Sequence, residues 1–240
     1  MEVAQKNAQE AAFKRYPKFS SDPLHALIQS IQQLDEEAFA LFITQIDSIN
    51  EWHESLKTTP LLAAVNYKNA MATGILLERN ADPLVHLGSA EHSAFSLAIQ
   101  KKAYGLVAKI FELYPERTKD YLNNPAQEIS PQFLAYRDPK LFNLLIKGGA
   151  DPYFGGKEGE SPIIKAIAKG GLGLLPVLVR HEIPLDKTVS NKSLIEWAIF
   201  YNRLDWVNGL ISEGVKVTKM HIEYCEKIGG REEILAVLKN

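Results

Sequence analysis

One cysteine and six histidines have the most chemical potential in this sequence. Cys225 follows His221 by four residues, which is close to one helical turn and would place both on one helix face. Such a pair could contact zinc or form a Cys–His dyad. No His-x-x-x-His or Cys-x-x-Cys metal spacing occurs among the other histidines, which are His25, His53, His86, His92 and His181. Because the pair has no second pair of ligands, we expect no metal and no cofactor.

Two further segments contain residue types found in known sites, but not in the sequence order or setting that those sites require. Residues 169–173 read Lys-Gly-Gly-Leu-Gly, but they lack the Gly-x-x-x-x-Gly-Lys-Ser/Thr order of a phosphate loop and are interpreted as a turn. Glu158 and Glu160 flank Gly159, where we expect a solvated loop and no acid–base pair. We predict that the chain is not an enzyme. One alternative stays open, a small enzyme or metal-binding protein with its site in the irregular segment 114–129 or near the His–Cys pair.

Composition argues against several classes of function. The chain has 240 residues, of which 46% are hydrophobic and 23% are charged, as in ordinary folded proteins. A formal net charge of −2 argues against a nucleic-acid binder, and no window approaches the roughly 18 apolar residues of a membrane span. Residues 1–6 lack the apolar core of a signal peptide, and a single cysteine allows no intrachain disulfide. We expect a cytoplasmic protein that binds neither nucleic acid nor membrane, with non-classical export as the exception if it is an effector.

A four-residue sequence that occurs twice with one difference, called the phrase below, indicates how the chain is built. Asn-Ala-Asp-Pro at 80–83 reappears as Gly-Ala-Asp-Pro at 149–152, which is 69 residues later, or twice about 34.5. Both aspartates are interpreted as scaffold. A similar period relates six starts, each a hydroxyl or acidic residue before an apolar run: Asp22, Thr59, Ser93, Ser130, Ser161 and Ser193. Their mean spacing of about 34 residues is typical of stacked helical repeats.

The starts predict the first helix of each repeat. A Ser, Thr or Asp side chain accepts a hydrogen bond from an unpaired amide at a helix N-terminus, and proline at the first helical position loses none. Small residues leave room for the neighbouring helix at Ala64, Ala98, Ala135, Ala166 and Ala198. Second helices are predicted at 70–77, 106–113, 139–146 and 204–211. The ends of a stack need shielding, so 1–21 is predicted as an N-terminal capping helix and 218–240 as a C-terminal capping helix pair.

This pattern resembles the ankyrin repeat. Residues 149–162, Gly-Ala-Asp-Pro-Tyr-Phe-Gly-Gly-Lys-Glu-Gly-Glu-Ser-Pro, follow the ankyrin finger, a hairpin-like loop, position by position. The family's Thr-Pro-Leu-His start keeps its histidine only at His25, so the link that the family makes through it is mostly absent. The resemblance covers about residues 20–240. It implies an all-α fold, an ankyrin-type α-solenoid of helix-turn-helix repeats with short hairpin-like fingers, in a single domain over 1–240.

The resemblance also implies a protein partner. In ankyrin-like stacks the finger tips and first helices line a concave face, and aromatic residues and arginine dominate protein interfaces. The candidate binding residues are Trp52, His53, His86, His92, Lys101, Arg137, Tyr153, Phe154, Lys157, Phe200, Tyr201 and Arg203. Each aromatic pair could instead pack one member against a neighbouring repeat. Trp197 and Trp206 have core-facing helical spacing and are interpreted as packing.

We therefore expect a non-catalytic module that is a monomer when free and binds one folded protein. With a repeat stack and no enzymatic domain, it would act by blocking, sequestering or recruiting that partner. Stand-alone ankyrin-like proteins of this kind are frequent among bacterial effectors and toxin-neutralising immunity proteins. A structural homo-oligomer is a further alternative.

Overall fold

The computed structural model describes residues 10–11, 13–86, 92–125, 130–157 and 160–240, and within them it contains helices and no strands. By its internal contacts the chain divides into two compact units, unit 1 (Met1–Leu106) and unit 2 (Val107–Asn240). In chain order the helices are α1 Pro23–Gln33, α2 Glu36–Phe42, α3 Pro60–Asn66, α4 Ala70–Glu78, α5 Ala94–Gln100, α6 Tyr104–Leu113, α7 Pro115–Leu122, α8 Pro139–Lys147, α9 Pro162–Lys169, α10 Leu175–Arg180, α11 Leu194–Phe200, α12 Leu204–Ser212, α13 Lys219–Ile228 and α14 Glu232–Leu238, with 3-10 helices at Pro131–Ala135 and Leu172–Leu174. The all-α prediction is confirmed.

Unit 1 is built from helix pairs. Helix α1 packs on α2 and α3 packs on α4, while the first helices α1, α3 and α5 stack on one another in order. Ala64 and Ala98 are fully buried, as the small-residue pattern predicts. Leu27, Phe39 and Phe42 are among the largest side chains of this core that water does not reach. Apolar burial between successive pairs therefore holds the unit together.

Unit 2 continues the same arrangement with one change. The 3-10 helix Pro131–Ala135 takes the place of a first helix and packs on α8 and α9, and α9 packs on α11. Helices α13 and α14 pack on each other and on α11 and α12. Trp206 is fully buried, which confirms its predicted role in packing. The predicted second helices of both units end within two residues of their observed limits.

Side-chain caps begin most of the first helices, as predicted. A hydroxyl or carboxylate oxygen accepts a backbone N–H at 3.0 Å for Asp22, 3.2 Å for Thr59, 3.1 Å for Ser93, and 3.3 Å for Ser161 and Ser193. Ser130 departs from this pattern, because its hydroxyl donates to the Phe154 carbonyl at 2.9 Å. The cap predicted at Ser130 is therefore wrong, since the hydroxyl ties the start of this repeat to the following finger.

The recurring phrase at 80–83 and 149–152 is scaffold, as predicted. One carboxylate oxygen of Asp82 and of Asp151 accepts the N–H two residues further on, at 3.0 and 2.8 Å, and so closes a turn. The amide of each aspartate donates in turn to an upstream asparagine, Asn50 at 2.7 Å and Asn123 at 2.8 Å. Each of these hydrogen bonds connects residues about 30 positions apart in sequence and so joins successive repeats.

The segment 114–129 differs from the irregular finger that the sequence predicted. Residues 115–122 form helix α7, with Pro115 in its first turn, where a missing N–H costs no hydrogen bond. Tyr121 and Leu122 of this helix are buried. Residues 126–129 lie outside the described residues. Half of the segment in which an enzyme site was the alternative is therefore a regular helix and not an irregular loop.

Two other predictions lie partly on residues that are not described. Of the predicted N-terminal capping helix at 1–21, residues 1–9 and 12 are not described, residues 10–11 and 13–15 are helical, and residues 16–21 are not helical. The loop expected around Gly159 includes Glu158 and Gly159, which are not described either. Both stay predictions.

Candidate functional site

Three aromatic rings cluster at the C-terminal end of α11. Trp197 and Tyr201, one helical turn apart, stack with ring centroids 5.8 Å apart. Phe200 meets both rings edge-on, at 5.8 Å from Trp197 and 5.0 Å from Tyr201. Phe200 is 44% exposed and Tyr201 is 36% exposed, whereas Trp197 is half-buried. The cluster presents apolar ring surface to solvent, and Trp197 belongs to this surface as well as to the packing predicted for it.

Polar contacts hold the cluster in place from both ends of α11. The indole N–H of Trp197 donates to the Val189 carbonyl in the preceding finger at 2.9 Å, and the Lys192 ammonium lies 5.0 Å from the indole centroid. Nε and Nη2 of Arg231 donate to the carbonyls of the last two α11 residues, at 2.7 and 2.9 Å. The Ile199 carbonyl also accepts the Asn202 N–H at 3.1 Å, so the guanidinium adds a second donor there and complements the helix dipole.

Arg203 follows the cluster and is held by Asp205. Its Nε and Nη2 donate to the two carboxylate oxygens at 3.1 and 2.8 Å, which raises the pKa of Arg203 and lowers the pKa of Asp205. The guanidinium also covers Gly170, where a Cβ would come within 2.7 Å of Nη2. Gly170 has φ +82°, so glycine meets both the backbone conformation and the close approach.

A second aromatic–arginine pair lies on the other side of this glycine turn. Tyr136 follows the 3-10 helix, and the guanidinium carbon of Arg137 lies 5.3 Å from its ring centroid. The Tyr136 carbonyl lies against Gly171, where a Cβ would come within 3.0 Å of it. The glycines at 170 and 171 thus link the two turns. We call the following residues the turn surface: Tyr136, Arg137, Trp197, Phe200, Tyr201 and Arg203.

The predicted tip residues after the second copy of the phrase have different positions. Tyr153 is only 8% exposed, its hydroxyl donates to the Pro184 carbonyl, and the Lys187 ammonium lies 4.4 Å from its ring centroid. Burial raises the pKa of Tyr153. Tyr153 is therefore the member of its aromatic pair that packs, the alternative that the sequence left open, because its side chain joins two successive fingers. Phe154 is half-buried, and Lys157 is exposed.

In unit 1 the first finger uses one predicted contact residue for its own structure. The His53 amide donates to the Thr58 carbonyl at 2.8 Å, and the His53 ring Nδ1 accepts the Leu56 N–H at 3.1 Å. The His53 side chain is 10% exposed and meets the His25 ring edge-on at 4.9 Å. The exposure expected of His53 is therefore wrong. Trp52 is half-buried, and its indole N–H donates to no residue in the described ranges.

The remaining predicted residues of unit 1 are exposed. They are His86, His92 and Lys101. His92 lines a groove of about 290 Å³ together with Leu62 and Leu97, whose side chains come from α3 and α5. The groove has polar as well as apolar lining residues, which suits contact with a protein side chain.

His221 and Cys225 each have a structural role. Nδ1 of His221 accepts the Thr218 N–H at 3.2 Å at the start of α13, and burial lowers the pKa of the ring. Cys225 is 2% exposed, and burial raises the pKa of its thiol, which disfavours the nucleophilic thiolate. In the described part of the chain, no group of three or more His, Cys, Asp or Glu side chains could hold a metal ion. No helix within those same ranges is long and apolar enough to cross a membrane.

Comparison with solved structures identifies the fold. The crystal structure of the ankyrin repeat domain of Bcl-3, described as a unique member of the IκB protein family, is similar with a TM-score of 0.72. The similarity covers 90% of this chain and 98% of that chain, at 19% sequence identity. The chain has the fold of an ankyrin repeat domain. No family model matches the sequence, and no curated protein matches it.

In this ankyrin repeat fold, the turn surface lies where first helices end, and sequence reasoning missed part of that pattern. Tyr67 is 46% exposed directly after α3, eight residues beyond Thr59, just as Tyr201 lies eight residues beyond Ser193. This constant distance from the cap was the signal that could have found Tyr67. Arg231 was missed because its partners lie 31 and 32 residues upstream.

Proposed function

We propose that this chain binds a folded protein partner through the turn surface of unit 2. The observation that carries the proposal is the cluster of Trp197, Phe200 and Tyr201, in which Phe200 and Tyr201 are exposed and Arg203 lies beside them. Tryptophan, tyrosine and arginine are the residues most enriched in the energetic centres of protein interfaces. Ankyrin repeat folds generally serve protein–protein interaction and typically carry no catalytic site, which favours a binding role.

The cluster is already ordered before any partner arrives. The Val189 carbonyl fixes the indole of Trp197, and Arg231 fixes the backbone that bears Phe200. Immobilising a side chain at an interface costs roughly 0.5–1.5 kcal/mol, so rings that are held in advance lose less on binding. Arg203 and Asp205 add a polar border of both signs, which suits a protein better than a phosphate backbone.

The other predicted binding residues are included in the proposal according to their exposure. Lys157 in unit 2, and His86, His92 and Lys101 in unit 1, are exposed and remain proposed contacts of their own units. The half-buried Trp52 and Phe154 are proposed to contribute only their exposed edges. His53 and Tyr153 are excluded because their side chains are engaged within the fingers.

The proposal is tested by capture with the purified chain, followed by identification of the bound protein and direct measurement of its affinity. The double variant Phe200→Ala/Tyr201→Ala should weaken binding by roughly 2 kcal/mol or more, or about 30-fold, because hot-spot aromatics cost this much when truncated. The control is Leu113→Ala/Met220→Ala, which removes exposed apolar side chains elsewhere in unit 2. Equal affinities for both variants would refute the proposed site.

A more specific role can be proposed for a protein that binds its partner and catalyses no reaction. We propose that the protein is a monomer that acts in the cytoplasm by blocking, sequestering or recruiting its partner, as an effector or a toxin-neutralising immunity protein does. An adjacent toxin gene whose product binds the chain would support the immunity role, whereas a captured host protein would support the effector role. Light scattering after size exclusion separates this monomer from a structural homo-oligomer.

A further inference from the structure

A groove of about 690 Å³ lies in unit 2, away from the end of α11 that bears the aromatic cluster. Apolar side chains of Ile183, Leu185, Ile195 and Val215 line it. Ile195 is buried, and the other three are half-buried and therefore accessible from the groove. Its volume falls within the roughly 300–1,000 Å³ that is usual for ligand sites.

The groove is lined by residues of two successive connections that differ in length. The chain takes residues 181–193 to pass from α10 to α11, with a hairpin bridge between Val189 and Lys192. From α12 to α13 it takes only residues 213–218, which form a turn at 213–214 and then four residues without a hairpin. The backbone N–H groups of Lys216 and Val217 donate to no residue in the described ranges. A short non-helical segment, in which the N–H groups of Lys216 and Val217 are unpaired within the described residues, therefore borders the groove.

Three carboxylates stand around the groove. Glu182, Asp186 and Glu213 all line it, all are exposed, and none forms an ion pair with another described residue. The described lining contains one cation, Lys216, against these three. His221 also lines the groove, and burial lowers its pKa, so the ring adds no charge at neutral pH. The groove is therefore an apolar floor within a negative border.

We propose that this groove binds an extended, basic segment of another protein, in which lysine or arginine alternates with apolar residues. In an extended chain, alternate side chains point to opposite sides, so one set can fill the apolar floor while the other reaches the carboxylates. The backbone N–H groups of Lys216 and Val217 offer hydrogen bonds of the kind by which extended peptides add to an exposed chain. Charge complementarity fixes the sign of the segment.

The test uses the full chain and synthetic, fluorescently labelled ten-residue peptides. The first peptide alternates lysine with valine, the second replaces lysine by glutamate, and the third replaces valine by serine. Fluorescence anisotropy at about 0.15 M salt should detect binding of the first peptide and at least about tenfold weaker binding of the other two. Equal binding of the lysine–serine peptide would overturn the apolar part of the proposal, and binding of the glutamate peptide would overturn it entirely.

Matched variants locate the site. Glu182→Gln/Asp186→Asn/Glu213→Gln should weaken the lysine–valine peptide about tenfold, which corresponds to about 1.4 kcal/mol. The control Glu116→Gln/Asp120→Asn/Glu233→Gln changes the net charge equally at exposed positions of α7 and α14. If both triple variants weaken the peptide equally, attraction to the whole protein explains binding and the groove proposal fails.

Amide chemical shifts provide a second reading that does not depend on charge variants. Adding the lysine–valine peptide should shift Leu185, Val215 and Lys216 and leave Phe200 and Tyr201 unchanged. Shifts confined to other regions would refute the groove. Since Phe200→Ala/Tyr201→Ala should keep full peptide affinity, this proposal and the proposed turn-surface function can fail separately.

Discussion

At the scale of single residues, the reactivity of the Cys225 thiol distinguishes a packing role from a catalytic role. The thiol is 2% exposed and burial raises its pKa, so little thiolate is present at neutral pH. We expect a thiol reagent at pH 7 to modify native Cys225 at least about tenfold more slowly than the same chain in denaturant. Glutathione is the control for intrinsic reactivity. A native rate that matched glutathione would restore the reactive pair with His221.

The Arg203–Asp205 ion pair makes a small contribution that depends on pH. Its carboxylate has a lower pKa in the folded chain than in the unfolded chain, so the stabilisation is complete above the unfolded value near pH 4 and disappears as the pH falls through the folded value. Both side chains are about a third exposed, which limits the effect to about 0.5 kcal/mol. Asp205→Asn should lower the free energy of unfolding by that amount at pH 7 and by almost nothing near pH 2.

Urea unfolding at the two pH values measures this difference, and Asp120→Asn, an exposed carboxylate on α7, is the control. A constant penalty for Asp205→Asn at both pH values would show that the carboxylate acts through its hydrogen bonds alone.

Which site residues could be predicted depended on how far away their partners lie. Phe200 and Tyr201 are exposed, as expected, because their position at the end of a first helix is set by local sequence. The burial of Tyr153 and His53 was not predictable, for different reasons. Tyr153 reaches a carbonyl 31 residues away, which no local pattern reveals. His53 accepts an N–H three residues on, a turn contact that hydrophobic periodicity does not report.

At the scale of elements, a glycine in a finger and a glycine in a helix should respond in opposite ways to substitution. A Cβ at Gly155 would come within 2.4 Å of the Glu160 backbone, and backbone cannot move aside as a side chain can. Gly155→Ala should therefore destabilise the chain by roughly 1–3 kcal/mol. Gly74, in α4, has open space around it, so Gly74→Ala should stabilise by roughly 0.5–1 kcal/mol. Thermal unfolding of both variants gives the two signs, and a neutral Gly155→Ala would show that the finger is loosely packed.

Helices with caps and periodic apolar residues were predictable, and those without were not. A capping serine followed by an apolar run predicts α9 at Ser161 and α11 at Ser193. Helix α7 has neither signal, because its sequence is mostly polar and Tyr114 makes no side-chain cap. The burial of Tyr121 and Leu122 accounts for a helix that local signals do not predict. Tertiary packing overrides local propensity there.

At the scale of the whole molecule, a repeat of about 34 residues means that most stabilising contacts connect neighbours in sequence. Stacked-repeat proteins behave approximately as a sum of repeat stabilities and nearest-neighbour interfaces, so a local defect need not weaken distant repeats. The two compact units each have their own buried core, with Phe39 and Phe42 in unit 1 and Phe142 and Trp206 in unit 2. Whether the predicted single domain unfolds as one cooperative unit is therefore open to measurement.

Hydrogen exchange with Gly155→Ala makes that measurement. The substitution lies in a finger of unit 2, so we expect faster exchange in the flanking helices α8 and α9, because local opening there costs less free energy. Amides in α1 and α3 of unit 1 should keep the protection that they have in the unsubstituted chain, and Gly74→Ala serves as the control in that unit. If α1 and α3 lose as much protection as α8 and α9, the chain unfolds all at once, and the nearest-neighbour account of its stability is wrong.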